Sequence, residues 1–128
     1  MLVKEIDRSS VISWSPISRH PNLLVGGTLS GTMSTDFDPS GKLELFDLSK
    51  SDDRSVKLIG SCQVKERFNV IGWKNSNPNT FEYGLVVGGF NTGTLGIYDP
   101  AKILRWVTFK IFFLIWLDHT FNWIFLIY

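Results

Sequence analysis

The stretch Tyr83–Pro100, YGLVVGGFNTGTLGIYDP, decides the fold. Two short runs suited to a pleated, half-buried surface, Leu85-Val86-Val87 and Thr94–Tyr98, flank a turn containing Gly88, Gly89, Asn91 and Gly93. Gly and Asn tolerate the positive φ that tight connections require, so the passage reads as a hairpin. Its second run ends in an aromatic–Asp pair, Tyr98-Asp99, before Pro100. A similar passage occurs earlier. Residues 23–48, LLVGGTLSGTMSTDFDPSGKLELFDL, carry an apolar run, the pair Gly26-Gly27, a turn at Ser30-Gly31, and an ending in Phe46-Asp47. Each passage follows a short strand ending in tryptophan, VISW to Trp14 and NVIGW to Trp73. The order strand–Trp, strand–Gly-Gly, turn, strand–aromatic–Asp therefore occurs twice.

The spacings between matching positions are 59 residues for Trp14 to Trp73, 62 for Gly26 to Gly88 and 52 for Asp47 to Asp99. The drift falls in two loops, around 31–42 and 74–82. Subtracting the first insertion brings the period near the ~40–45 residues of a WD-repeat propeller blade. The repeat positions are thus Trp14, Gly26, Gly27, Phe46 and Asp47 in the first copy. In the second they are Trp73, Gly88, Gly89, Tyr98 and Asp99.

The chain has 128 residues, enough for one domain. All 16 of its Gly and Pro residues lie within 1–102, and regular turn punctuation between short apolar runs points to an all-β class. Residues 1–102 hold 11 Lys/Arg against 11 Asp/Glu, so no basic stripe marks a nucleic-acid partner. The single cysteine, Cys62, forms no intramolecular disulfide, which fits a reducing compartment. The start, MLVKEIDRSS, lacks the apolar core of a signal peptide.

Leu2–Asp7 reads as an orphan N-terminal strand. Val11–Trp14, Leu23–Thr28, Lys42–Leu48 and Val56–Val64 read as the four strands of a first blade spanning about 11–64. Phe68–Trp73, 85–89 and 94–99 read as three strands of a second, spanning about 68–99. Domain one is therefore 1–102, a partial propeller of fewer than two full blades. Domain two is the tail 103–128, which contains 9 of the 18 aromatics and neither Gly nor Pro.

Within that layout the sequence resembles one WD-repeat family in particular. KEIDRSSVISWSP at 4–16, LLVGGTLSGTM at 23–33, LELFDL at 43–48, RFNVIGW at 67–73 and GLVVGGFNTGTLGIYD at 84–99 resemble the N-terminal propeller of the larger COPII outer-coat subunit. The resemblance covers about residues 3–104. It implies a cage scaffold in endoplasmic-reticulum-to-Golgi vesicle transport, cytoplasmic and peripheral on exit sites and vesicles. The implied partners are the small WD-repeat outer-coat subunit and the inner coat. The regions that would bind them, and a Pro-rich region acting on the coat GTPase, would lie beyond residue 128. The family propeller has about seven blades. Phe46-Asp47 and Tyr98-Asp99 replace its WD dipeptide, and no Gly-His precedes either copy.

Catalysis finds little to work with, and the expectation is that this is not an enzyme and uses no cofactor, metal or small-molecule substrate. His20 and His119 are the only histidines, and His20 reads as a solvated loop residue. The Gly-Gly pairs are not followed by a phosphate-binding pattern and read as tight turns and close backbone packing. Asp36, Asp38, Asp52 and Asp53 lack calcium-loop spacing. As a helix, residues 106–128 would span ~34 Å, enough for a ~30 Å hydrocarbon core. Thirteen Leu, Ile, Phe and Val residues favour insertion by roughly 6 kcal/mol, but Asp118, His119, Asn122 and Lys110 bring the balance near zero. Read-through of A/T-rich non-coding DNA explains the same composition and is preferred to a real anchor. A small membrane-anchored β protein and a generic WD-repeat adaptor are the competing functions. Carbonate extraction that leaves the full chain, but not residues 1–102, in the membrane pellet would favour the anchor.

Overall fold

Seven strands and one short helix make up the computed structural model, which describes residues 3–31, 39–49 and 54–104. Strands β1 (Ser10–Trp14), β2 (Leu23–Thr28), β3 (Gly41–Asp47) and β4 (Lys57–Val64) form one antiparallel sheet in meander order. Strands β5 (Phe68–Lys74), β6 (Leu85–Phe90) and β7 (Leu95–Tyr98) form a second, and α1 (Pro100–Leu104) follows. The architecture is all-β, a partial WD-repeat propeller with two open sheets.

Register shows how alike the sheets are. In the first, Trp14 pairs with Leu24 and Leu24 with Phe46; in the second, Trp73 pairs with Val86 and Val86 with Tyr98. The next inward rows are Ile12–Gly26–Glu44 and Ile71–Gly88–Gly96. On the opposite faces, Val11–Gly27–Leu43 corresponds to Val70–Gly89–Leu95. Paired residues of a ladder share a face, so corresponding rows project alike from the two sheets.

One face of each sheet closes the core between them. Val25, Leu43 and Leu45 of the first sheet meet Phe68, Ile71 and Trp73 of β5. Among the described residues Phe68 is the largest fully buried side chain. A register shift between Phe68 and Val70 brings the phenyl onto the same face as Ile71 and Trp73, the usual use of a bulge to re-aim a side chain. The ring then lies between two glycines. A Cβ on Gly27 would fall 2.9 Å from Phe68 Cε2, and one on Gly88 would fall 2.6 Å from Phe68 Cδ1, on the other edge of the ring. Neither position has room for a methyl group. Ser13 Oγ accepts the Trp73 N–H at 3.1 Å and Phe68 O accepts the Ser30 N–H at 2.8 Å, fixing β5 against the first sheet.

Several details differ from the sequence reading. Residues 3–7 form no strand; Glu5 N donates to Arg54 O at 3.4 Å and Lys4 Nζ to Ser55 O at 3.2 Å. These bonds tie the segment to the loop before β4 instead of to a strand edge. Gly88 and Gly89 lie inside β6 rather than in the turn. The connection is Asn91–Thr94, with Gly93 at φ 86° after a Gly93 N–H to Phe90 O bond of 3.1 Å. That combination is a three-residue-type hairpin closed by a left-handed glycine. A short helix lies at the 102/103 boundary. Helix α1 crosses it, started by Pro100 at its first position and by Asp99, whose Oδ1 accepts the Ala101 N–H at 3.0 Å. Ile103, assigned to the tail, is fully buried, with its Cγ2 3.1 Å from where a Gly60 Cβ would sit. The rest of the tail, 105–128, with its helical and membrane readings, lies outside the described residues, as do 32–38 and 50–53. Among the described residues no helix is long and apolar enough to cross a membrane.

Urea denaturation of single variants tests this packing. Phe68→Ala should cost about 3–5 kcal/mol. Gly88→Ala should cost about 1–3 kcal/mol by overpacking against the ring, and Gly27→Ala a similar amount against the ring and the Ile71 side chain. Gly72→Ala, where a Cβ meets nothing within 4 Å, should stay within about 0.5 kcal/mol of the parent. Equal costs at Gly72 and Gly27 would contradict the wedge.

Candidate interaction surface

Chemistry-bearing groups are few and their partners are structural. Cys62 is buried in β4. No group of three metal-ligating side chains occurs among the described residues. Asp36, Asp38, Asp52 and Asp53 lie outside them. His20 is half-buried rather than solvated: it stacks on Tyr83 with ring centroids 4.4 Å apart, because the 15–22 loop of the first sheet packs against the residues that lead into β6. Tyr83 O in turn accepts the Trp73 Nε1–H at 2.8 Å.

The two aromatic–Asp pairs end their strands in the same way. Asp47 Oδ1 accepts the Ser49 N–H at 2.8 Å, as Asp99 Oδ1 accepts that of Ala101, each from the residue two positions on. Such Asx turns let the carboxylate replace the ladder where the strand stops. Asp47 also accepts the Ser49 hydroxyl at 2.6 Å. The Ser49 hydroxyl and then its N–H hold the Asp47 carboxyl below its ordinary 3.8, against a smaller upward push from partial burial.

One buried charge was not foreseen. Glu44 sits in the row Ile12–Gly26–Glu44 and pairs with the Arg8 guanidinium, which also lies 5.8 Å from the centre of the Phe46 ring. The signal available in the sequence was a charge where the second copy has Gly96. Gly26 lies under that same ring, its would-be Cβ 3.3 Å from Phe46 Cε2, and Gly89 lies against Val70 at 3.0 Å.

What remains is exposed apolar side chains on the outer strand of each sheet, although Leu24, Phe46 and Glu44 on the same face as Ile12 and Trp14 are buried. Trp14 is 57% exposed and Ile12 55%, whereas their row-mates in the second sheet, Trp73 and Ile71, are each 8% exposed. On the other outer face, Leu95 is 75% and Val87 38% exposed, whereas Leu43 and Val25 are at 0%. The residue types are the same in every comparison. Only the neighbour differs: the first sheet covers β5, whereas Ile12 and Trp14 of β1 and Leu95 of β7 stay exposed among the described residues. Exposed apolar patches of this kind are characteristic of interaction surfaces.

Comparison with known proteins agrees with the repeat pattern. The chain is 40% identical over 103 residues to the protein transport protein SEC31 of Dictyostelium discoideum, which takes in 80% of this chain. Over four-fifths of its length the chain is homologous to Sec31. Protein transport protein Sec31A of Gallus gallus is 32% identical over 107 residues, 81% of the chain. The Sec31 homolog B of Arabidopsis thaliana is 30% identical over 105 residues, 80% of the chain. The chain spans only 8% to 9% of the length of these Sec31 relatives. No family model matches it.

The Asp47 turn makes a pH prediction. A carboxyl whose folded pKa is depressed contributes stability that is present above 3.8 and is lost as pH falls through the lower folded value. Ser49→Ala should therefore raise the Asp47 pKa toward 3.8 and remove that part of the acid-limb slope, as read by a carboxyl carbon NMR titration. A titration unchanged by the substitution would rule out the Ser49 hydroxyl as its main cause.

Proposed function

We propose that this chain is part of the N-terminal propeller of a COPII outer-coat subunit, acting as a scaffold in vesicle transport from the endoplasmic reticulum to the Golgi. The observation that carries the reading is the 40% identity to the Dictyostelium SEC31 over 103 residues. On this reading the chain works by protein contact and not by catalysis. It needs no cofactor, and the relatives are named for protein transport.

The repeat positions have structural roles in this proposal. Trp14 and Trp73 set the inter-blade faces, and Gly26, Gly27, Gly88 and Gly89 admit neighbouring side chains close to the backbone. Phe46-Asp47 and Tyr98-Asp99 pack and then terminate the third strand of each blade. The blades occupy about 11–64 and 68–99 within a domain of 1–102, followed by the apolar tail. The small WD-repeat outer-coat subunit and the inner coat are the protein partners, reached through parts of the longer protein. The location is cytoplasmic and peripheral, at endoplasmic reticulum exit sites and on COPII vesicles.

A chimera tests this. The matched 103-residue segment of the Dictyostelium relative is replaced by the corresponding residues of this chain, and the chimera is supplied to cells depleted of their own protein. Restored secretion of a reporter is the expected outcome. A chimera that is expressed at normal level yet leaves the reporter in the endoplasmic reticulum would refute the reading.

A further inference from the structure

The chain before β1 lies against the first sheet as an extended segment. At one end Ser9 O accepts the Leu29 N–H at 3.1 Å. At the other, Lys4 Nζ donates to Ser55 O and the Glu5 N–H to Arg54 O, just before β4. Lys4 and Ile6 are half-buried and alternate with exposed Val3, Glu5 and Asp7, the period of an extended chain with one side turned inward. Beside Ser9, Arg8 pairs with the Glu44 carboxylate, whose side chain is 8% exposed. We propose that residues 4–9 are a detachable strap, latched to the first sheet by the Arg8–Glu44 pair, and that opening the latch uncovers Phe46.

Burial is what makes this pair a latch. A carboxylate withdrawn from water needs a countercharge and hydrogen-bond donors, and a guanidinium supplies both. The ladder neighbours of Glu44, which are Ile12, Gly26 and Ser61 along the row, carry no charge, so the countercharge comes from the strap. The same guanidinium lies 5.8 Å from the centre of the Phe46 ring. Phe46 shares its face with Trp14, yet Trp14 is 57% exposed and Phe46 is 3% exposed. One side chain therefore guards two groups. When Arg8 leaves, the carboxylate and the ring meet water together, and the strap retains its two end contacts without the charge between them.

Trypsin cleavage after Lys4, followed by mass spectrometry on the full chain, reads the open state, because a docked Lys4 is held on Ser55 O and cannot enter the protease. Glu44→Gln and Arg8→Gln should each speed that cleavage roughly 10- to 100-fold, the loss of a hydrogen bond between charged groups. The double variant should be no faster than the quicker single one, since either change opens the same latch. Cleavage after Lys42, in β3, at the unmodified rate shows that the sheet is intact. If either variant also speeds cleavage there, Arg8→Lys replaces it; charge is kept and the planar fork is lost, and cleavage after Lys4 should still be faster than in the unmodified chain. Cleavage after Lys4 at the unmodified rate in these variants would overturn the proposal. So would single effects that multiply in the double variant, which would give Arg8 and Glu44 separate partners.

Discussion

The phenyl ring of Phe68 between Gly27 and Gly88 is the contact on which the rest of the structure depends. One glycine lies in each sheet, and the ring touches both along opposite edges. Burying such a side chain contributes about 1.5–3 kcal/mol from water exclusion alone. Its larger effect is geometric. The glycines set how closely β5 approaches β2, and the bulge at Phe68 turns the ring into that gap. With the ring in place, Ile71 and Trp73 fall onto Val25, Leu43 and Leu45, and the Ser13–Trp73 and Ser30–Phe68 hydrogen bonds close around it.

A structure built this way is directional. Each sheet has one face that inserts and one that receives, and the internal contact uses the receiving face of the first sheet and the inserting face of the second. The remaining faces are therefore chemically determined by the repeat and not by chance exposure. Repeat units bury their apolar surface only against neighbours, which is why identical residue types show opposite burial in the two copies.

Strand order and the correspondence of the two copies were legible in the sequence because they follow from local signals. Apolar alternation, the Trp-terminated first strands and the turn residues fix which residues pair, and the spacings 59, 62 and 52 align the same rows that the ladders align. The role of Phe68 was not legible, since it depends on a bulge and on glycines 41 and 20 residues away. The Gly-Gly pairs drew the turn reading by composition, whereas the demand on Gly27 and Gly88 is steric and comes from a different strand. Glu44 and Arg8 found each other across 36 residues, and Ile103 was counted with an apolar tail although its first turn caps the core. Local pattern specifies faces; what fills them is a long-range matter.

The central claim is that one aromatic ring joins the two sheets by touching a glycine in each. Nuclear Overhauser effects from the Phe68 ring protons to the α-protons of both Gly27 and Gly88, observed in one folded sample, are the result this account requires. Effects to one glycine only, or to neither, would mean that the sheets do not pack through this ring.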